Sequence, residues 1–495
     1  MRRAMLLVAA GLLGCAGPKA PQDVPAGAPD LEREGEAAVK LLQELIRFDT
    51  VNPPPPGSAK PNAGETVLLA HVRKLLAAEG IASEILEAAP GRGNLVARYK
   101  GTGAKRPILL MAHVDVVNFD ASRWEVDPLS GTLRGGFIWG RGAIDDKHDA
   151  AVFTQILRIL ARTKPRLSRD VILMLNADEE SSGGCGARWM IERHWDKIAC
   201  EFVLAEGGRT ALRDGKVTEY GFETAEKIYN DFRLWVRGKS GHSSVPVGQN
   251  AIYTLGRMLE KLERFRTPVR LTETTAASLA ALADLPANAS WRDAMKKAAA
   301  GDLAAAEELC KVPRFNALLR STFIPTVVRG GIRANVLPPD AEVNFNVRLL
   351  PGDRIDDLIG ALMRFLEIPK HEVVEGDAAA IDGWKREGKD VDAAVFLMDR
   401  GVDAPASSLQ TEMYRTLLAA ARKFAPEAVA APRLSPGATD LRFFRLKGVQ
   451  AYGIGPCPTG EEEGNTLHDH NERVRVESVK FAVRFVLETV LEAAR

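Results

Sequence analysis

The sequence predicts an α/β protein interrupted by a second, smaller α+β domain, and three observations predict it. Apolar runs of strand length at residues 108–112, 138–144, 171–177 and 202–205 show little polar alternation, as strands covered on both faces do, and His, Asp or Glu follows each directly. Segments with apolar residues at helical spacing separate such runs, the pattern of helices packed on a sheet. From about Ile228 the texture changes to stretches that alternate apolar with polar, in the order β, α, β, β, α, β of a two-layer sandwich. A chain of 495 residues is also too long for one ordinary core.

The elements follow in order. In the first part of the α/β domain, residues 31–225, helices are expected over 37–47 and 65–79 and a strand near 94–99. After the strand at 108–112, residues 148–161 place Ala151, Ile156, Leu157 and Leu160 at helical spacing, forming a crossover helix. The inserted domain, residues 226–376, should hold a strand at 229–237, a helix at 250–264, strands at 322–328 and 341–349, a helix at 353–366 and a last strand near His371. Residues 270–320, rich in Ala and charge, read as an additional helical insertion within it. Residues 377–495 return to the first domain, with a helix over 409–424, a strand near 450–454 and a closing helix over 476–494.

Composition excludes more than it assigns. With 46% hydrophobic and 26% charged residues the chain is ordinary globular protein, and a formal charge of +1 argues against a broad nucleic-acid surface. The N-terminus reads as a targeting segment: Met1-Arg2-Arg3, an apolar stretch to Leu13 too short to span a bilayer, then Leu12-Leu13-Gly14-Cys15, which resembles a bacterial lipobox. Residues 1–15 are then a signal peptide cut before Cys15, with lipid on that thiol anchoring the chain in the cell envelope and residues 16–30 a flexible tether. The alternative is a soluble secreted or periplasmic protein. Cys185, Cys200, Cys310 and Cys457 fit no zinc-cluster spacing and read as free thiols.

The chemistry lies just past the apolar runs. His113 with Asp115 two positions on is a metal ligand with a carboxylate able to hold its other ring nitrogen. Gly140-Arg141-Gly142 before Asp145 is a tight turn delivering a carboxylate whose two oxygens can bridge two cations. Glu179 and Glu180 are adjacent and point different ways, so one serves a metal and the other proton transfer. Glu206 precedes two glycines, and His468 and His470 share a polar loop. Any one of these is unremarkable alone; together they make a full ligand set for two ions.

In this order the motifs resemble the M20 family of metallopeptidases and aminoacylases. The carboxypeptidase S and N-acyl-amino-acid hydrolase branch is nearest, through Leu110-Met111-Ala112-His113-Val114-Asp115-Val116-Val117, Trp124, Asp127-Pro128, Gly131 and Gly140 to Lys147. The resemblance implies a zinc-peptidase-like catalytic domain, its central mixed sheet flanked by helices, with the inserted domain acting as lid or dimerisation domain. It implies two Zn²⁺, with Co²⁺ or Mn²⁺ as substitutes: His113 and Glu206 on one ion, Glu180 and His468 on the other, Asp145 bridging. The family spacing of His, two residues, Asn and Glu selects His468 over His470, and a cis peptide is implied between Asp145 and Asp146. Glu179 becomes the general base and Asp115 the residue that orients His113. His242, in Gly238 to Ser244, is implied to stabilise an oxyanion, frequently in the partner subunit of a homodimer. Asn335 and Arg348 match substrate-binding positions, Arg348 as the clamp for a free carboxylate. Gly437 opens a loop, Gly437-Ala438-Thr439-Asp440, in which Ala438 replaces a usual glycine, and Asn118 and His148 stand where relatives commonly have Pro and Gly.

Two functions are thus in play. One is a dizinc hydrolase cleaving an amide or peptide bond beside a residue with a free carboxylate, its substrate a small peptide or N-acyl amino acid. The other is an inactive envelope lipoprotein of the same fold that serves as a binding module.

Overall fold

A computed structural model describes residues 29–53, 64–181, 183–245 and 248–495. Cys15, where lipid was expected, and residues 16–28 of the expected tether lie outside them, and among the described residues no helix is long and apolar enough to cross a membrane.

The larger sheet is mixed. Its strands run in the order Ser83–Ala89, Arg92–Tyr99, Val171–Asn176, Ile108–His113, Phe202–Ala205, Gln450–Gly453, Lys216–Glu226, Arg209–Arg213 and Pro458–Thr459, with Val429–Ser435 paired to Lys216–Glu226. The central strands, 171–176 through 450–453, are mutually parallel. Their uninterrupted apolar sequence is explained by burial on both faces. Ile108, Leu110, Leu173 and Leu204 enter one core with the helices Leu31–Ile46, Lys147–Thr163 and Val476–Ala494, while Leu109, Met111, Ile172 and Val203 enter another beneath Ala187–Arg193 and Leu441–Leu446. Leu110 is fully buried, so Leu110→Ala should cost about 2–5 kcal/mol.

One apolar run does not join this sheet. Only Phe137–Trp139 of residues 138–144 and their neighbours is strand, in a small side sheet with Thr132–Arg134 and Arg473–Arg475. Gly140 (φ 155°) and Gly142 (φ 85°) turn the chain away immediately afterwards, in backbone that L-residues rarely adopt.

The second sheet runs Thr322–Gly330, Asp340–Leu349, Ile228–Arg237, Ala393–Asp399, His371–Glu375. Helices Ala251–Glu263 and Ile355–Leu366 cover one face, and Ala378–Arg386 covers the other through Ile381 and Trp384 against Trp235 and Phe396. The boundary expected at residue 376 therefore falls too early. Helix Ala378–Arg386 and strand Ala393–Asp399 complete this sheet, and the strand is central rather than terminal because Ile228–Arg237 pairs along it. Its sequence, Ala-Ala-Val-Phe-Leu-Met, lacks the alternation of its neighbours because the helix covers its second face. Residues 270–320 fold as helices Glu273–Leu282, Arg292–Ala299, Leu303–Leu309 and Pro313–Leu319 around a separate apolar core, with the first packed on strand Val429–Ser435.

A single residue, Lys227, separates the last long strand of the first sheet from the first strand of the second. It is buried, and its ammonium donates to the carbonyls of Ala317 (3.0 Å) and Arg320 (2.8 Å) at the end of the helical insertion. Burial pushes its pKa down to about 7. Cys185, Cys200, Cys310 and Cys457 are all free thiols.

Candidate active site

Parallel strands deliver the key side chains to one edge. Ile108–His113 ends on His113, Val171–Asn176 leads through Ala177 to Asp178, Glu179 and Glu180, and Phe202–Ala205 leads straight to Glu206. In open α/β sheets, ligands collect beyond such carboxyl ends. Asp145 arrives from the glycine turn, where a Cβ on Gly142 would stand 2.8 Å from Val116 Cγ1. The peptide between Asp145 and Asp146 is cis. His468 comes from a loop near the C-terminus, in left-handed backbone (φ 58°), and Asp178 before the glutamates is likewise left-handed (φ 68°). Such conformations are uphill for residues other than Gly, and here the surrounding contacts hold them.

The geometry centres on Asp145. Its Oδ1 lies 2.8 Å from His113 Nε2, and that nitrogen lies 3.9 Å from Glu206 Oε2. Its Oδ2 lies 2.9 Å from His468 Nε2, which is 3.3 Å from Glu180 Oε1. The two oxygens of one carboxylate thus face two separate His–Glu pairs. Glu179 sits with His113 and Glu206, one donor atom from each within 4.8 Å of the others. His470 points away, hydrogen-bonded to Asp469.

Crowded carboxylates set the electrostatics. Burial, reinforced by Asp440, Glu180 and Asp145, pushes Glu179 well above the usual range; burial and Glu179 do the same to Glu206, and burial also raises Glu180. His468 is raised to about 10 by its bonds to Asp145 and Glu180. Burial works against ionisation of Asp145, yet the bonds from His113 and His468 hold it below the ordinary value. Four acids and two imidazoles in one cleft suit divalent cations, since the donors are all nitrogen and oxygen.

A further layer of residues fixes this cluster. Asp115 Oδ1 lies 3.4 Å from His113 Nδ1, while the Asp115 backbone oxygen is nearer at 3.0 Å, so carbonyl and carboxylate both hold that ring. The same carboxylate accepts from the backbone N–H of Glu179 (3.2 Å) and of Glu180 (3.1 Å) and from Asn52 Nδ2 (2.8 Å). Asp115 therefore positions three cluster residues, two more than sequence reasoning gave it. Glu472 was not singled out at all. Wholly buried, it accepts from the N–H groups of Ile144 (2.7 Å), Asp145 (3.1 Å) and Gly142 (3.1 Å) and pairs with Arg141 (2.5 Å). Arg141 also donates to the Asp469 carbonyl at 2.9 Å, tying the Asp145 turn to the His468 loop. Asn52 and Arg92 brace Asp178, and Asn176 donates to Asp440 at 2.7 Å. Asn52 and Arg92 carry no local motif; Glu472 closes the His, two residues, Asn, Glu spacing and Asp440 the Gly437 loop, and membership of those motifs was the available signal.

A cavity of about 1100 Å³ opens over the cluster, walled in part by Asp145, Glu179, Glu180, Glu206, His468 and Arg348. Arg348 is half-buried, its guanidinium 4.7 Å above the Tyr229 ring and its Nε 3.4 Å from Asn346 Oδ1. Gly437 also borders the cavity, but an added Cβ there would meet only Ser435 Oγ at 3.5 Å, so the position is not sterically reserved for glycine. His242 and Asn335 do not border it. His242 is exposed and bonded to Ser244 Oγ at 2.7 Å, and the Asn335 carbonyl accepts from Ser243.

A mixed α/β sheet that presents this His and carboxylate cluster beneath a second, smaller sheet is the architecture of a two-domain hydrolase. Residues 109–492 match the model of peptidase family M20/M25/M40, and the chain belongs to that family. It is similar to the human N-fatty-acyl-amino acid synthase/hydrolase PM20D1, 28% identical over 398 residues covering 78% of this chain and 74% of that one. Probable carboxypeptidase S-like 2 of Dictyostelium discoideum is 26% identical, with 79% and 73% covered. Among solved structures, the M20 family metallo-carboxypeptidase Sso-CP2 from Sulfolobus solfataricus shares the fold at a TM-score of 0.65, with 20% identity and 92% and 99% of the two chains covered. Bacillus subtilis YXEP, described as a dinuclear metal binding peptidase, shares it at 0.56, with 16% identity and 93% and 99% covered. The chain is accordingly a hydrolase of the peptidase or amidohydrolase type, and the binding-module alternative finds no support.

Proposed function

We propose that this protein is a dinuclear metallohydrolase that cleaves an amide or peptide bond next to a residue bearing a free carboxylate. One observation carries the reading: the oxygens of Asp145 face two separate pairs, His113 with Glu206 and His468 with Glu180. His113, Glu206, Asp145, Glu180 and His468 would hold two divalent cations, zinc by donor chemistry with cobalt or manganese as substitutes, which would supply an acidified water and polarise the scissile carbonyl. Glu179, raised in pKa by burial, takes the water's proton as the water oxygen bonds to the carbonyl carbon and gives that proton to the leaving nitrogen as the C–N bond breaks. Asp115 keeps His113 and the backbone of Glu179 and Glu180 in place. Arg348, on the cavity wall, meets the free carboxylate in two parallel hydrogen bonds.

The substrate reading is an N-acyl amino acid or a short peptide cut at its C-terminus, supported by likeness to an N-fatty-acyl-amino acid synthase/hydrolase and to a carboxypeptidase S-like protein. His242 belongs to a homodimer in this reading and reaches the partner's cavity. Cys15, with its lipid, belongs to envelope anchoring, which Cys15→Ser should abolish by releasing soluble protein. Turnover of a panel of N-acyl amino acids and dipeptides by the full chain tests the central claim, measured before chelation, after it and after zinc is returned. Activity should vanish and come back; chelator-resistant turnover, or binding with no turnover, overturns it.

A further inference from the structure

Directly beyond Asp145 lies a second group of donors that the dinuclear reading leaves unused. Asp146, His148 and Asp149 each offer one donor atom within 4.8 Å of the other two, and all three are buried. His148 Nδ1 is 3.5 Å from Asp146 Oδ1, and His148 Nε2 is 3.3 Å from Asp149 Oδ1. An ion takes only one of these two ring nitrogens, and a pair of donors on a tetrahedral ion with bonds of about 2.1 Å stands roughly 3.4 Å apart, close to either spacing taken singly.

Acidic residues at a helix start usually have a plain role, capping free N–H groups or meeting the helix dipole. Asp149 does stand in the first turn of helix Lys147–Thr163, but the capping part of that role is not filled. Asp146 is the N-cap residue of Lys147–Thr163, yet its side chain caps nothing. Both oxygens of Asp146, both of Asp149 and the Nδ1 of His148 are buried without a hydrogen-bond partner, and Asp146 and Asp149 have no exposed surface at all. The one cation in the segment is spent elsewhere, since Lys147 Nζ donates to the Phe48 carbonyl at 2.8 Å. Among the described residues no Lys or Arg forms an ion pair with Asp146 or Asp149, whose ion-pair partner is His148, a costly setting for buried carboxylates. His148 and Asp149 also border the large cavity, so an ion has a way in.

We infer that Asp146, His148 and Asp149 form a third divalent-cation site, separate from the pair of ions around Asp145. Two carboxylates and one imidazole suit zinc or manganese. The site holds its ion as a buried counter-charge behind the Asp145 turn.

The test uses full-length protein stripped by chelator, reconstituted with zinc and freed of excess, with zinc per chain measured by mass spectrometry. His148→Asn and Asp149→Asn should each bind one zinc fewer than the unaltered chain. The zinc anomalous map of crystals of the unaltered chain should show a peak between Asp146 and His148, apart from any beside Asp145. Equal zinc counts in the unaltered chain and in folded variants overturn the site, as does an anomalous map with no peak there. Should the variants fail to fold, the map alone decides. The dinuclear reading fails separately, by loss of the peaks beside Asp145.

Discussion

The carboxyl edge of the large sheet and the loop carrying His242 in the smaller domain are built on opposite plans. At the sheet edge, His113 and Asp145 are buried or nearly so, and their neighbours Asp115 and Glu472 each accept three or more hydrogen bonds. The His242 ring, by contrast, is exposed, and among the described residues its hydrogen bonds go to Ser244, two residues along its own chain. One region is organised by the fold of a single chain, before any substrate arrives. The other has side chains of the right type with nothing in the chain to aim them, as expected of groups that act only when a second body, a partner or a closed lid, comes to them.

The largest effect should come from the organised side. Glu179→Gln should lower kcat by about 10²–10⁴-fold with metal content unchanged, read by stopped assay and metal analysis; undiminished kcat would remove Glu179 from proton transfer. On the other side, His242→Ala should cost about 10²–10³, and dilution of the unaltered protein to monomer should abolish activity. Full activity from a proven monomer would erase the contrast drawn here. Glu472→Gln keeps the shape but weakens the clamp on the Asp145 turn, so metal affinity should fall about 10–100-fold, measured by competition with a chelating dye. Arg348→Lys loses the paired geometry and should raise KM about tenfold for substrates with a free carboxylate, the equivalent of one charged hydrogen bond. Substrates with that group amidated should be unaffected.

The smallest effect concerns the crossing between the regions. Burial lowers Lys227 to about 7 from an ordinary 10.5, so the folded state favours its neutral form while the unfolded chain stays protonated. The penalty is complete below pH 7, shrinks as pH climbs through that window and is gone above 10.5. Melting temperature of the unaltered protein relative to Lys227→Met should therefore rise with pH between these values; a flat difference would show that the ammonium is not desolvated.

How much was legible follows the same division. The strands 108–113, 171–176 and 202–205 announced themselves because both faces are buried, and a chain that must then stop at a polar edge displays its functional residues immediately afterwards. That is why His113, Glu179, Glu180 and Glu206, each unremarkable alone, stood out as a set, and the structure gathers them with Asp145 and His468. Residues 138–144 misled because apolar content alone does not separate a strand from a buried glycine turn. The strand Ala393–Asp399 was missed because it does not alternate, its second face being covered by a helix that sequence reasoning also left out. Asn52, Arg92 and Glu472 act through long-range hydrogen bonds, and no local pattern reports a partner 40 to 331 residues away.

The clamp made by Glu472 has a bearing on when the centre comes into being. Its carboxylate organises a turn synthesised more than 320 positions earlier, and His468 belongs to the same late segment. Until that segment docks, His113, Glu179 and Glu180 are braced by Asp115, but the Asp145 turn lacks its clamp and the cluster lacks His468. Any cation taken up by the proposed centre would therefore be selected only once residues 468–472 have docked on the Asp145 turn.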